Sequence, residues 1–137
     1  TPCVLTLLDI DQFKYYNSRY GFQKGDQLLA AVGSILSKSL QEPASAARYG
    51  SDEFMLVFPG KNKEEAGGEI NRIKRAVMLE GNSILPANTP QPFSISLGLA
   101  GYPYDGDAAL PLIRAAEDDL YRAKYSKGTD YSTIGAL

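Results

Sequence analysis

The chain has 137 residues, 44% of them hydrophobic, a formal net charge of −2, one cysteine and no histidine. That length fits one compact domain that buries about two-thirds of its extended surface. The charge argues against double-stranded nucleic acid as a partner, no apolar run approaches the ~18 residues of a membrane span, and the missing histidine excludes Ser-His-Asp hydrolysis, Cys-His proteolysis and His-ligated metals.

The single cysteine, Cys3, excludes an intrachain disulfide and suits a reducing cytoplasm. The continuous apolar run "CVLTLLD" predicts a strand buried on both faces and ending in Asp9. "DIDQFKYYNSRYGFQKG" reads as a short helical or looped stretch. From Asp26 to Leu40, the spacing of Leu28, Leu29, Val32, Ile35, Leu36 and Leu40 is that of one helix face. Strands over 46–49 and 54–58, separated by "GSDE", form a hairpin signal. Asn62 and Glu65 have capping-box spacing and open a helix to about Met78. A Pro-rich loop, "EGNSILPANTPQP", leads to "FSISLGLA", which alternates Phe93, Ile95, Leu97 and Leu99 with small residues. A helix over 110–125 follows, and "TDYSTI" is a candidate last strand. Hairpins within an alternating strand-helix order predict an α+β fold, with a mixed, mainly antiparallel sheet flanked by helices.

Asp9 and Asp11 close the first strand, while Asp52 and Glu53 lie at the hairpin. If the first strand pairs beside the hairpin, these carboxylates meet at one sheet edge. Gathered carboxylates raise one another's pKa unless a cation neutralises them. Hard oxygen ligands select Mg²⁺ or Mn²⁺, and Mg²⁺ binds through one or two carboxylates plus substrate phosphates. Taken alone, either acidic pair reads equally as solvated strand ends. Asn17 alone reads as a turn former, Asp26 as a helix N-cap and Lys124 as a helix C-terminal cation. Tyr15, Tyr16, Tyr20 and Phe22 read as a packing cluster rather than a stacking platform.

Taken together, "LLDIDQFKYYNSRYGFQKGDQLL", "ARYGSDEF", "FSISLGLA" and "LYRAK" resemble the GGDEF domain of the diguanylate cyclase family, from Leu5 to about Asp130. The resemblance implies a palm-type, ferredoxin-like sheet and the joining of two GTP molecules into cyclic di-GMP across a homodimer. It implies that Asp9, the Ile10 carbonyl and Asp52 hold Mg²⁺ or Mn²⁺, and that Asp52 and Glu53 are the catalytic carboxylates. Asn17 and Asp26 match the pair that reads guanine; Phe13, Lys14 and Lys124 match phosphate contacts. On this reading residues 1–137 are one domain of a longer cytoplasmic signalling protein. The chain lacks the family's usual "DxLTGLxNR" helix, and a sensory domain is expected upstream.

The sequence also departs from the family. Ser51 replaces the second signature glycine, in Gly50-Ser51-Asp52-Glu53-Phe54. A left-handed backbone at Ser51 would cost about 1–2 kcal/mol and crowd the nucleotide, whereas substitution of the first glycine should matter less. Ser18 and Phe22 replace an Asp and a His of "NDxxGH", and Lys127 is one position from the usual basic residue. The inhibitory RxxD would fall on Gln41 and Ala44, so no inhibitory site is expected. These departures leave open a degenerate, non-catalytic GTP-binding or dimerisation module.

Overall fold

The computed structural model describes residues 1–125; the candidate strand "TDYSTI" lies outside them. The element order is β1 (Cys3–Ile10), α1 (Phe13–Tyr20), α2 (Phe22–Ser39), β2 (Ser45–Arg48), β3 (Glu53–Pro59), α3 (Lys63–Ile84), β4 (Ile95–Tyr102) and α4 (Ala109–Tyr125). The four strands form one sheet in the order β2-β3-β1-β4, and all its pairings are antiparallel. This is the α+β, ferredoxin-like arrangement, with β1 in the interior of the sheet.

Strand alternation divides the core. Val4, Leu8 and Ile10 of β1 join Leu28, Val32 and Leu36 of α2 and Ile70, Ile73 and Val77 of α3 on one face. Leu5 and Leu7 point the other way, to Leu112, Ala116 and Leu120 of α4. Burial on both sides explains the unbroken apolar run of β1.

Asn62 caps α3 as expected: its side chain accepts from Glu65 N–H, and the Glu65 side chain accepts from Asn62 N–H. That helix runs past Met78 to Ile84, because Val77 and Gly81 continue the buried stripe. Helix α2 starts at Phe22, with Gly21 at φ 92° before it. Asp26 therefore lies inside the helix and is not its N-cap. Strand β4 begins at Ile95 rather than Phe93, and Ser96 and Ala100 are buried on its second face. Tyr16 is fully buried and Tyr15 and Tyr20 pack against the core, but Phe22 is 76% exposed and belongs to no packing cluster.

Candidate functional site

The antiparallel register of β1 and β3 sets Asp9 directly opposite Glu53. Ile10 N–H donates to the Asp52 carbonyl at 3.2 Å, so the residue before β3 is tied to the end of β1. Alternation turns Asp9 to the α4 face. Helix α4 rides on Gly98 of β4, where a Cβ would lie 2.2 Å from the Ala116 carbonyl oxygen and 2.4 Å from Leu120 N. This close approach brings the next turn over the strand ends, and Lys124 Nζ donates to Asp9 Oδ2. Asp9, Ile10, Asp52, Glu53 and Lys124 are thus assembled from β1, the hairpin and α4.

Asp9 is 7% exposed. Burial, with the Asp52 carboxylate beside it, raises its pKa to about 6 despite the bond and charge of Lys124. Lys124 is held above the usual lysine range: burial opposes its charge, but the bond it donates to Asp9 and the charges of Asp9, Asp11 and Asp52 prevail. The second carboxylate oxygen of Asp9, Oδ1, is buried and has no hydrogen-bond partner among the described residues. An unbonded carboxylate oxygen with a second carboxylate nearby is suited to a divalent cation. Among the described residues no group of three or more His, Cys, Asp or Glu side chains is placed to hold a metal. Two carboxylates and a backbone carbonyl fit Mg²⁺ whose remaining ligands are water and substrate phosphate.

Asp11 does not join this edge. Its two oxygens accept from Ser94 Oγ and Ser96 Oγ, each at 2.6 Å, and its N–H donates to the Ser94 carbonyl. It ties β4 to the end of β1.

Phe13 and Lys14 form the first turn of α1, Phe13 half-buried and Lys14 exposed. The residue before that turn, Gln12, adopts φ 55° and supplies no side-chain cap. The first amides of an uncapped helix lack intrahelical acceptors and favour anions. Gln12 is the sole non-glycine residue with positive φ among the described residues, and nothing in its residue type announced it.

Asn17 and Asp26 lie at the elbow of α1 and α2. A Cβ on Gly25 would fall 1.8 Å from Asn17 Oδ1, so the Asn17 side chain lies flat on that glycine, one residue from Asp26. Asn17 Oδ1 is buried without a hydrogen-bond partner among the described residues, and Asp26 is exposed.

The signature turn overturns two expectations. Ser51 does not have positive φ, so serine is unstrained there. Its hydroxyl donates to Asp52 Oδ1 at 3.1 Å. Gly50 is the more confined position, because a Cβ on it would meet Glu53 Oε1 at 2.5 Å and displace that carboxylate.

The family model for the diguanylate cyclase GGDEF domain matches residues 1–130. Among curated proteins, Diguanylate cyclase A of Treponema denticola is 31% identical over 120 residues, covering 88% of this chain and 32% of that protein. Diguanylate cyclase DgcM of Escherichia coli is 32% identical over 121 residues, covering 88% of this chain and 28% of that protein. The chain thus spans about a third of their length. Among solved structures, the GGDEF domain of DgcB from Caulobacter crescentus, in complex with c-di-GMP, has a TM-score of 0.78 at 28% identity and covers 92% of this chain and 74% of that one.

Proposed function

Because the chain belongs to the GGDEF-domain family of diguanylate cyclases, we propose that it binds GTP with Mg²⁺ or Mn²⁺ and, as a homodimer, condenses two GTP into cyclic di-GMP in bacterial second-messenger signalling. The observation that carries this reading is the buried, unbonded oxygen of Asp9, on a carboxyl with Lys124 as its counter-cation and the Asp52 carboxylate nearby. A sensory domain upstream and a cytoplasmic location are part of the proposal. None of the described helices is long and apolar enough to cross a membrane.

In this mechanism Asp9, the Ile10 carbonyl and Asp52 hold the metal. When bound, Mg²⁺ supplies neutralisation of phosphate charge and acidification of a nearby hydroxyl. The α1 amides at Phe13 and Lys14, with the Lys14 side chain, hold the terminal phosphates. Lys124 leaves Asp9 for the same phosphates. Asp26 accepts from N1–H and the 2-amino group of guanine, a donor pattern adenine does not offer, and Asn17 completes the base contact. Glu53 takes the proton of the attacking 3′-hydroxyl. Each 3′-oxygen bonds to the α-phosphorus of the partner's GTP, the α–β phosphoanhydride bond breaks, and one pyrophosphate leaves for each phosphodiester formed.

A second reading is a GTP-binding regulatory module without turnover. The Ser51 hydroxyl on Asp52 favours it, because a hydrogen bond to Asp52 Oδ1 competes with a cation for that carboxylate. The deciding experiment is incubation of artificially dimerised protein with GTP and Mn²⁺, with the product read by mass spectrometry and binding by calorimetry. Cyclic di-GMP from the parent and none from Asp52→Asn is the expected result. Binding without product establishes the second reading, and no binding defeats both.

A further inference from the structure

We propose that Arg48 is a positioning residue that aims the Asp52 carboxylate at Asp9. The argument starts from the backbone on either side of Asp52. The peptide that follows Asp52 is anchored on β1, because its carbonyl accepts from Ile10 N–H at 3.2 Å. The peptide that precedes Asp52 carries the Ser51 carbonyl, and that oxygen accepts from Arg48 Nη2 at 2.7 Å. Arg48 Nε donates to the Gly50 carbonyl at 3.2 Å, so one guanidinium grips two successive peptides. A peptide unit is planar, so gripping its carbonyl fixes the whole plane. With the planes on both sides held, φ and ψ of Asp52 are set, and its Cα–Cβ bond has one direction.

Arg48 suits this role in its own placement. It is the last residue of β2 and pairs with Phe54 in the register. Its guanidinium carbon lies 5.6 Å from the centre of the buried Phe54 ring, which fixes the base from which the fork reaches the turn. The turn needs an external clamp. Tyr49 N–H and Gly50 N–H both donate to the Glu53 carbonyl, but the Ser51 and Asp52 amides donate to no backbone acceptor among the described residues. Lysine cannot replace the fork, since it offers a point charge on a flexible stem in place of two fixed, divergent donors.

This inference rests on the proposed role of Asp52, and the test separates the two. ¹⁵N relaxation of the whole chain, without nucleotide, reads the clamp directly. The Ser51 and Asp52 amides should have order parameters of about 0.85 in the parent and below about 0.6 in both Arg48→Ala and Arg48→Lys. Melting should change by no more than about 2 °C, because Arg48 is exposed. Calorimetry with GTP and Mn²⁺ should show a roughly tenfold weaker complex in both variants, with metal-free GTP binding unchanged. Turn amides that stay rigid in Arg48→Ala, or an Arg48→Lys protein indistinguishable from the parent, would overturn the proposal. Loosened amides in a protein whose parent binds no Mn²⁺–GTP would uphold the clamp and defeat the reading of the site.

Discussion

Asp9 and Asp11 are two residues apart and both nearly buried, yet their surroundings differ in kind. At the start of β4, Asp11 receives the Ser94 and Ser96 hydroxyls on its two oxygens. At the α4 edge, Asp9 has Lys124 on one oxygen and, among the described residues, no hydrogen-bond partner on the other. The first is a carboxylate completed by its own chain and spent on holding strands together. The second is left incomplete by the fold. A buried charge is tolerated where hydrogen bonds satisfy it, and on the proposed function the one left short at Asp9 is completed by the metal.

Substitution should break the comparison in opposite directions. Asp11→Ala strands two hydroxyls in the interior and should cost about 2–3 kcal/mol, seen as a melting point lower by roughly 6–10 °C. Asp9→Asn should melt close to the parent while metal-dependent turnover falls by about a hundredfold or more. Equal stability losses in the two variants would show that Asp9 is as structural as Asp11.

The same contrast has a pH signature. The pKa of Asp9 is raised from 3.8 to about 6, so the native state binds that proton more tightly than the unfolded chain. The stabilisation linked to it is present below about pH 4 and is lost as pH rises to about 6. Asp9→Asn lacks the titration. Its stability relative to the parent should therefore climb from about pH 4 to about pH 6 and stay level above. Urea unfolding at each pH without divalent metal measures this, and a falling difference would reverse the assigned sign.

Lys124 sharpens the contrast further, because its ammonium stands beside Asp9 where a metal's charge would be. Lys124→Gln should bind Mn²⁺ alone a few-fold more tightly, since a competing cation is gone. The same variant should bind Mn²⁺–GTP about tenfold more weakly, having lost a phosphate contact. Manganese titration by electron paramagnetic resonance, with and without GTP, gives both numbers, and effects of the same sign would contradict the exchange of partners.

How much of this was legible in the sequence follows from distance along the chain. The β1–β3 pairing could be read, because hairpin spacing and an apolar strand ending in Asp9 dictate which carboxylates meet. The Lys124–Asp9 pair spans 115 residues and depends on α4 docking against Gly98, so no local pattern encodes it. Position along the chain groups Asp11 with Asp9, Asp52 and Glu53, because its partners, Ser94 and Ser96, are 83 and 85 residues away. Taken alone, Asp26 reads as a cap because the glycines before it, Gly21 and Gly25, look like breakers. Gly21 does end α1, but Gly25 is inside α2, where it makes room for Asn17.

A second orphaned oxygen on β1 offers a control. Thr6 is fully buried, and its Oγ1 has no hydrogen-bond partner among the described residues. It differs from Asp9 Oδ1 in being sealed on the α2–α3 side, where alternation places it among Val4, Leu8 and Ile10. Replacing an unbonded hydroxyl by a methyl of the same shape removes a desolvation cost. Thr6→Val should therefore raise stability by about 1 kcal/mol and leave GTP binding untouched. Destabilisation would mean that the hydroxyl is bonded, and altered binding would mean that the two orphans are coupled.

The smallest expected effect is at Ser51, in the same turn as Asp52. Serine there has no left-handed strain to relieve, since its φ is not positive. Ser51→Gly therefore gains nothing in the native backbone and adds freedom to the unfolded chain, a loss of up to about 1 kcal/mol. It keeps the carbonyl that Arg48 grips, so the orientation of the turn is preserved. What it removes is the hydroxyl donated to Asp52 Oδ1. Ser51→Ala removes the same hydroxyl with little change in backbone freedom, and the pair of variants separates the two contributions. The expected outcome is a lower melting point for Ser51→Gly, a nearly unchanged one for Ser51→Ala, and turnover within about twofold of the parent for both. Higher turnover in both variants alike would show that the serine hydroxyl holds Asp52 back from the metal. Higher turnover in Ser51→Gly alone would show that the turn must open further than alanine allows, and that the second glycine of the family signature serves motion rather than space.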